Sequence, residues 1–501
     1  MDMAVHSVDK PRESTIADGD ATLSNAKHLS MASHRTLRLS GDRVAVIADR
    51  STGWCVVPNG AYAVLRSFFE SEGWSAYQSK PPDAASRAII TQLWRAGLLL
   101  ADGAPHPSRV PKRREYPDAL LIKLTGGCNI SCTYCYDYDR IRFRKRLDRD
   151  RTLSVVDELL DRNDSMSIAF HGGEPLLEFE LLKEVVNHVN RRIRGTSQHV
   201  RFGVQTNGTL LTPEIIDFLK GERFSVGISL DGAVEEANSL RVVRRGNTPL
   251  QMVRALLISD PEFVRSSCGF LAVATKTSAP YLPNFALWLQ GEGVTGLTVG
   301  FMDLTGRATD LHDFQLSPAQ AVDLISTFVK MVQTKEIWSL ALHSLITHMR
   351  NLFTYQSRDL CAKGPCGAAS EFLVLDATGA LRTCDCVYDP FFELAGPNEA
   401  IPNNRHVKRL ALVSRYNGLR DNGAKCGTCP LFGLCGGTCV GKAIAASGNS
   451  SSINPVECAI STYLYPLLLE EISGESDSAS LMRYYSRHNS SATHIIQTCL
   501  Q

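Results

Sequence analysis

The segment Ala119-Leu120-Leu121-Ile122-Lys123-Leu124-Thr125-Gly126-Gly127-Cys128-Asn129-Ile130-Ser131-Cys132-Thr133-Tyr134-Cys135-Tyr136 runs from a short apolar strand directly into three cysteines. All three thiols fall within eight residues, 128–135, at the carboxyl end of that strand. That is where an α/β enzyme carries its reactive groups. Downstream, strands and helices alternate with short connections. The expected strands are Ala119–Leu124, Ser167–His171, Val200–Gln205, Ser225–Ser229, Gly269–Ala274 and Gly296–Phe301. Helices are expected near Leu153–Asp161, Phe179–Arg194, Pro213–Lys220, Pro249–Ile258, Pro283–Gln290 and Pro318–Lys335, with a further one near Leu340–Phe353. Six strand–helix units in register imply a parallel sheet with right-handed crossovers. The fold class is therefore α/β, an open, partial (β/α)6 barrel with its site at the strand carboxyl ends.

A cubane iron–sulfur cluster takes four ligands, normally thiolates. Three local thiols, with the next cysteine only at Cys268, leave one iron open, as a catalytic metal site keeps a position free. The CxxxCxxC spacing, with aromatics on both sides of the last cysteine, resembles the signature of the radical S-adenosylmethionine (SAM) superfamily. The resemblance implies that Cys128, Cys132 and Cys135 hold a 4Fe–4S cluster whose open iron takes the amino and carboxylate groups of SAM. One electron from that cluster then yields a 5′-deoxyadenosyl radical. Three later strand ends match in order. His171-Gly172-Gly173-Glu174-Pro175 is similar to the family's GGE motif, which implies that Gly172, Gly173 and Glu174 hold the SAM amino group. Gln205-Thr206-Asn207-Gly208 and Ser229-Leu230-Asp231-Gly232 follow, with Arg241 beyond them. By the same resemblance Gln205, Asn207, Ser229 and Arg241 are cofactor contacts, Ser229 and Arg241 at the ribose and carboxylate. Taken alone, Asn207-Gly208 and Asp231-Gly232 are also ordinary turns, and three thiols also suit a zinc knuckle.

Cysteine and glycine dominate the third region. Its spacing is Cys361-x4-Cys366-x12-Gly379-x4-Cys384, then Cys426-x2-Cys429-x5-Cys435-x3-Cys439, then Cys458. Glu371–Asp376 and Ala380–Thr383 read as a hairpin around Ala377-Thr378-Gly379. Eight thiols suffice for two fully ligated 4Fe–4S clusters, or for two zinc sites. The pattern resembles the SPASM extension of radical SAM peptide-modifying enzymes. That resemblance implies one auxiliary cluster on Cys361, Cys366, Cys384 and Cys439, and another on Cys426, Cys429, Cys435 and Cys458. Cys386 is open between alternative ligand and spectator, whereas Cys55, Cys268 and Cys499 read as small hydrophobes. Asp385 directly follows Cys384, as an aspartate does in the similar sulfatase-maturing enzymes, where it serves as the base. The other reading is an exposed hairpin acid. The run Arg140–Arg146 reads as a solvated face or as a contact for an anionic substrate segment.

The remaining features concern the client and the compartment. Hydrophobic residues make up 44% of the 501 and charged residues 21%, with a formal net charge of +1. Nothing in that balance points to nucleic acid or to a membrane surface, and no apolar run is long enough to span a bilayer. The first residues lack the apolar stretch of a secretory signal, so the expected location is cytoplasmic, where clustered thiols, as most of the 15 cysteines are, bind metal rather than form disulfides. The expected organisation is a flexible arm (1–35), a small module (36–104), a proline- and base-rich linker (105–117), the barrel (118–338), the cysteine-rich region (339–472) and a peripheral tail (473–501). The module pairs a hairpin, Val44–Ala48 with Trp54–Val57, with helices from Ala61 and over Ala84–Ala96. It resembles the winged-helix leader-recognition element of ribosomal peptide biosynthesis; the alternative is a structural cap on the barrel. The resemblance implies that a precursor's leader peptide adds as a strand. Together these readings describe a radical SAM oxidoreductase with three 4Fe–4S clusters. The resemblances imply that it crosslinks a ribosomal precursor peptide, as a C–C cyclophane or C–S thioether, with flavodoxin or ferredoxin as the expected electron donor. Two alternatives stay open: a formylglycine-forming sulfatase maturase, and a non-catalytic iron–sulfur or zinc scaffold.

Overall fold

The computed structural model describes residues 22–50, 53–71, 84–107, 116–353, 366–402, 406–423, 425–473 and 480–489. Cys361, Cys499, residues 1–21 of the expected arm and 108–115 of the expected linker lie outside the described residues.

The N-terminal module is built on β1 (Leu29–Met31), β2 (His34–Leu39), β3 (Arg43–Ala48), β4 (Trp54–Pro58) and β5 (Leu99–Ala101), with helices Asn59–Ser71 and Ala84–Arg95. β2, β3 and β4 form an antiparallel sheet with β3 in the centre, and β1 pairs antiparallel with β5. Gly41 and Asp42 take positive φ and close the β2–β3 turn. The strand β3 is buried on both faces. Val44, Val46 and Ala48 join Tyr62, Leu65, Trp94 and Leu98 in the module's own core. Ala45 and Ile47, on the opposite face by the two-residue period, join the main core with Leu431 and Leu434. One strand therefore belongs to two cores. Leu29–Met31 and His34–Leu39 thus lie in paired strands, although five of these nine residues fall in the stretch expected as an arm. Backbone pairing orders them, and their polar composition does not advertise it.

The barrel strands are β6 (Ala119–Ile122), β8 (Ser165–Phe170), β9 (His199–Thr206), β10 (Ser225–Ser229), β12 (Cys268–Ala274) and β13 (Gly296–Phe301). The short strands β7 (Ser131–Cys132) and β11 (Arg241–Val242) lie between them in sequence. Three helices, Pro213–Gly221, Pro249–Ser259 and Pro318–Gln333, start with proline behind a Thr or Ser cap. Proline is preformed for the first turn, and the cap oxygen accepts an otherwise unpaired N–H. The α/β partial barrel expected from the sequence is present, and the sheet is larger than the six units. β14 (Ala341–Leu342) extends it beyond β13, and β15 (Phe372–Leu375) pairs in parallel with β6. β16 (Leu381–Arg382) and β17 (Glu393–Ala395) then continue it antiparallel, giving ten strands in one sheet. The cysteine-rich hairpin is therefore a continuation of the barrel sheet. Phe-Leu-Val-Leu of β15 is buried throughout, and its backbone pairs along the edge that β6 would otherwise leave open. The tail differs from expectation as well. Helix Ser480–His488 buries Leu481, Tyr484 and Tyr485, and Tyr484 donates to Leu340 O at 2.6 Å.

The module docks on the cysteine-rich region through close backbone contact. A Cβ at Gly433 would lie 1.9 Å from Ala48 O. Nearby, Arg35 pairs with Asp49 at 2.7 Å and donates to Cys426 O (2.5 Å) and Cys429 O (2.9 Å). Gly433→Ala should therefore destabilise the chain by about 3 kcal/mol in chemical denaturation, because backbone must move to admit the methyl. Gly60→Ala, which meets nothing within 4 Å in helix Asn59–Ser71, should instead stabilise by about 0.5 kcal/mol.

Candidate active site

The three-cysteine loop leaves β6 through Lys123 and Leu124 and is held by its own polar groups. Thr125 Oγ1 accepts from Gly127 N and donates to Lys145 O, each at 3.0 Å. A Cβ at Gly126 would lie 2.0 Å from Arg142 O, so the loop's first turn admits only glycine. On one side β7 pairs with β11, with Cys132 opposite Arg241. On the other, Arg307 donates from its backbone to Cys135 O (2.9 Å) and from its side chain to Cys132 O (3.3 Å). Burial pushes the Cys128 thiol up to about 11 and Cys135 up to about 12. Without metal these thiols keep their protons, and a metal bound there would have to displace them.

The two glycines after β8 interlock with that loop. Gly172 and Gly173 take φ of +87° and +54°, and a Cβ at Gly173 would lie 2.3 Å from Gly127 O. Glu174 N donates to Gly127 O at 2.8 Å. The Glu174 carboxylate, expected to face an ammonium group, is fully buried and accepts from Thr206 Oγ1 (2.7 Å), Asn207 N (2.8 Å) and Leu176 N (3.2 Å). It clasps the ends of β8 and β9 together. Burial pushes it up to about 7, against those three donors. Asn207 Nδ2 reaches Asn129 Oδ1 (2.8 Å) and lies 3.7 Å from Cys128 Sγ. Gln205 donates to Ser229 Oγ at 2.8 Å, while its Oε1 is buried without a partner. A Cβ at Gly227 would lie 2.1 Å from that Oε1. A buried acceptor waiting for a donor, beside a hydroxyl on the next strand end, fits a polar cofactor such as SAM.

Arg241 is already engaged. Its guanidinium makes a two-pronged pair with Asp231, at 2.9 and 2.8 Å, and both residues are almost wholly buried. Tyr134 donates to the same carboxylate, as does Val273 N at 2.8 Å. Asp231 therefore orders the loop around Cys132, a role that its Asp-Gly turn signature conceals.

Asp385 sits in the barrel mouth rather than on an exposed hairpin. Its Oδ1 lies 2.9 Å from Lys123 Nζ, and its Oδ2 accepts from Tyr136 OH (3.0 Å) and lies 3.3 Å from His171 Nδ1. Lys123, only 2% exposed, also pairs with Asp137 and reaches Tyr388 OH at 3.2 Å. Asp137 accepts from Gly173 N (2.9 Å) and Tyr388 OH (2.9 Å). Burial disfavours the charge on Asp385, but Lys123 and His171 outweigh it and hold the carboxyl well below its usual range. Burial likewise opposes the Lys123 charge, and Asp137 and Asp385 overcome it. Sequence reasoning missed Lys123, Asp137 and Tyr388; the one available signal was a lysine inside the apolar run Ala119–Leu124.

Among the described C-terminal thiols, Cys366, Cys384 and Cys386 pack against one apolar cluster that includes Val440. Cys386 N donates to Cys384 Sγ at 3.4 Å, and a Cβ at Gly441 would lie 3.3 Å from that sulfur. A second group forms where Cys426 and Cys435 feel the fields of Cys429, and Cys426 that of Cys458. No three His, Cys, Asp or Glu side chains among the described residues converge on a point that could hold one metal ion. Each thiolate of a cubane binds a different iron, so its ligands need not meet at one point. Cys55 and Cys268 are buried. In the basic run, Arg142 pairs with Asp139 (3.1 Å) and Asp376 (2.8 Å), while Ile141 is 71% exposed. No helix among the described residues is long and apolar enough to cross a membrane.

Residues 122–260 match the Radical SAM superfamily. The mycofactocin maturase MftC of Mycobacterium tuberculosis is 26% identical over 332 residues, which cover 65% of this chain and 79% of that protein. MJ0907 of Methanocaldococcus jannaschii is 31% identical over 180 residues; this match spans 36% of the chain and only 60% of that relative's length. The solved structure of anSMEcpe with bound AdoMet has a TM-score of 0.59 at 18% identity, covering 77% of this chain and 98% of that one. Likeness at that identity establishes a shared fold.

The clasp made by Glu174 gives a pH signature. The folded state keeps this proton up to about pH 7, whereas the unfolded chain releases it near 4.5. Between those values the folded state binds more protons, so its stability falls as pH rises. Relative to Glu174→Gln, the wild-type chain should lose about 3 kcal/mol of stability across that window, read from paired denaturation curves.

Proposed function

We propose that the chain is a radical SAM peptide maturase. It binds the leader of a ribosomally made precursor and installs an oxidative intramolecular crosslink, a C–C cyclophane or a C–S thioether, in the core peptide. The observation that carries the reading is the meeting, at one barrel mouth, of the three-cysteine loop and Asp385 from the cysteine-rich region. In this reading Cys128, Cys132 and Cys135 hold one 4Fe–4S cluster. Gln205, Ser229 and the Gly172-Gly173 backbone face SAM. Cluster and SAM together supply a 5′-deoxyadenosyl radical, and the C-terminal thiols hold two auxiliary clusters as electron acceptors. Lys123 keeps Asp385 ionised and therefore a weak base, so its carboxylate would accept the substrate's proton only as oxidation of the radical makes that proton strongly acidic. Tyr136 and His171 orient that carboxylate from the two adjoining loops. The sheet β2–β3–β4 has two edge strands, and a leader peptide would pair along one of them. An electron donor such as flavodoxin or ferredoxin completes the cycle.

A second reading, formylglycine formation on a sulfatase, is favoured by the adjacency of Cys384 and Asp385. Anaerobic reconstitution with SAM, dithionite and the precursor encoded beside the gene separates the readings. The wild-type chain should form 5′-deoxyadenosine and remove two hydrogens from the precursor, with a fragment-resistant ring in its mass spectrum. Conversion of a sulfatase-peptide cysteine to an aldehyde, with the precursor untouched, would establish the second reading. Cys128→Ala should abolish 5′-deoxyadenosine. Asp385→Asn should still form it while product falls about 100-fold or more. Normal product from Asp385→Asn would remove the base from the scheme.

A further inference from the structure

Helix His406–Asn422 carries Arg415 to a small cavity in the cysteine-rich region. Its guanidinium donates to Gly437 O (3.2 Å), Ser452 O (2.8 Å) and Ser450 O. All three acceptors are neutral carbonyls. Among the described residues no carboxylate lies within ion-pair distance of Arg415, and the leading influences on its charge are burial and four thiols. Arg420 on the same helix pairs with Asp421 at 2.7 Å, and Arg35 nearby pairs with Asp49 at 2.7 Å. Among the described residues Arg415 is thus a partly buried cation without an anion of its own.

Its surroundings indicate where the missing charge lies. Arg415 lines a small cavity with Cys366, Tyr416, Gly436 and Thr438. Gly436 follows Cys435 and Thr438 precedes Cys439, so the cavity wall borders both thiol groups. Burial opposes the Arg415 charge, and thiols of both groups, Cys439 and Cys366 with Cys426 and Cys435, are near enough to favour it. A desolvated cation needs a counter-charge, and a cubane ligated by four thiolates carries net negative charge. We infer that Arg415 is the shared counter-charge of the two auxiliary iron–sulfur clusters, a positioning residue that raises the reduction potential of both. The inference rests on the auxiliary clusters of the proposed function. A positive charge stabilises the reduced cluster more than the oxidised one, so removing it lowers the potential.

The test uses the full chain with Cys128, Cys132 and Cys135 replaced by alanine, reconstituted anaerobically so that only C-terminal clusters contribute. Iron and sulfide are counted, and the midpoints are read by redox titration followed by electron paramagnetic resonance. With Arg415→Gln added, iron should stay at two clusters per chain and both midpoints should fall. Arg415→Lys should restore them towards the parent values. Unchanged midpoints, or a fall in only one, would overturn the shared role. If Arg415→Gln loses iron and Arg415→Lys retains it, a required charge is supported. Loss of iron in both overturns it. A parent chain that binds no iron removes the auxiliary-cluster reading itself, and this inference with it.

Discussion

Lys123 is the ion on which the mouth of the barrel depends. It stands at the end of β6, almost wholly buried, between Asp137 of the three-cysteine loop and Asp385 of the cysteine-rich hairpin. Removing three charges from water is costly, and mutual attraction repays it only where the geometry is complete. Here it is completed by Tyr136, His171, Tyr388 and Gly173 N, drawn from three separate segments. Removing one partner from such a group typically costs about 3–5 kcal/mol, because the others are left charged and unpaired. The network is therefore as much a constraint as a support. The loop, the glycine pair and the hairpin must arrive together.

Backbone proximity enforces the same convergence. Gly126, Gly173 and Gly306 each place main chain where a Cβ would overlap a carbonyl of a neighbouring loop. Gly306 packs on Cys135 O as Gly173 packs on Gly127 O. The three-cysteine loop is thereby pressed between the ends of β8 and β13 before any metal is considered. Such preorganisation spares a cofactor site the cost of ordering its own ligands.

The barrel was legible because buried parallel strands appear as short apolar runs separated by helical periodicity. All six expected strands occur, displaced by no more than two residues at their ends. The pairing of β15 with β6 was not legible, since it joins segments about 250 residues apart and leaves no periodic trace. The site divides along the same line. Cysteine spacing and the Gly172-Gly173 pair are local, and they announced themselves. Glu174 was visible as a motif, but its partners Thr206 and Asn207 come from the next strand, so its task as a clasp was hidden. Asp231 looked like a turn until Arg241 filled its carboxylate. Arg415 gave no signal at all, because a surplus cation is recognisable only once its lack of a partner can be seen.

The double burial of β3 bears on how far a bound peptide can wander. Because alternate residues of that strand anchor in two cores, the N-terminal sheet cannot swing as a domain on a string. A segment paired along an edge of this sheet would start its path to the barrel mouth from one fixed point and heading. The number of residues between docking segment and reacting residue then acts as a ruler. Too few cannot span the gap, and each extra one dilutes the reacting group at the mouth. Selectivity for position along a substrate would then be a matter of counted length, set by two methyl-bearing side chains, Ala45 and Ile47, that anchor the sheet against the cysteine-rich region.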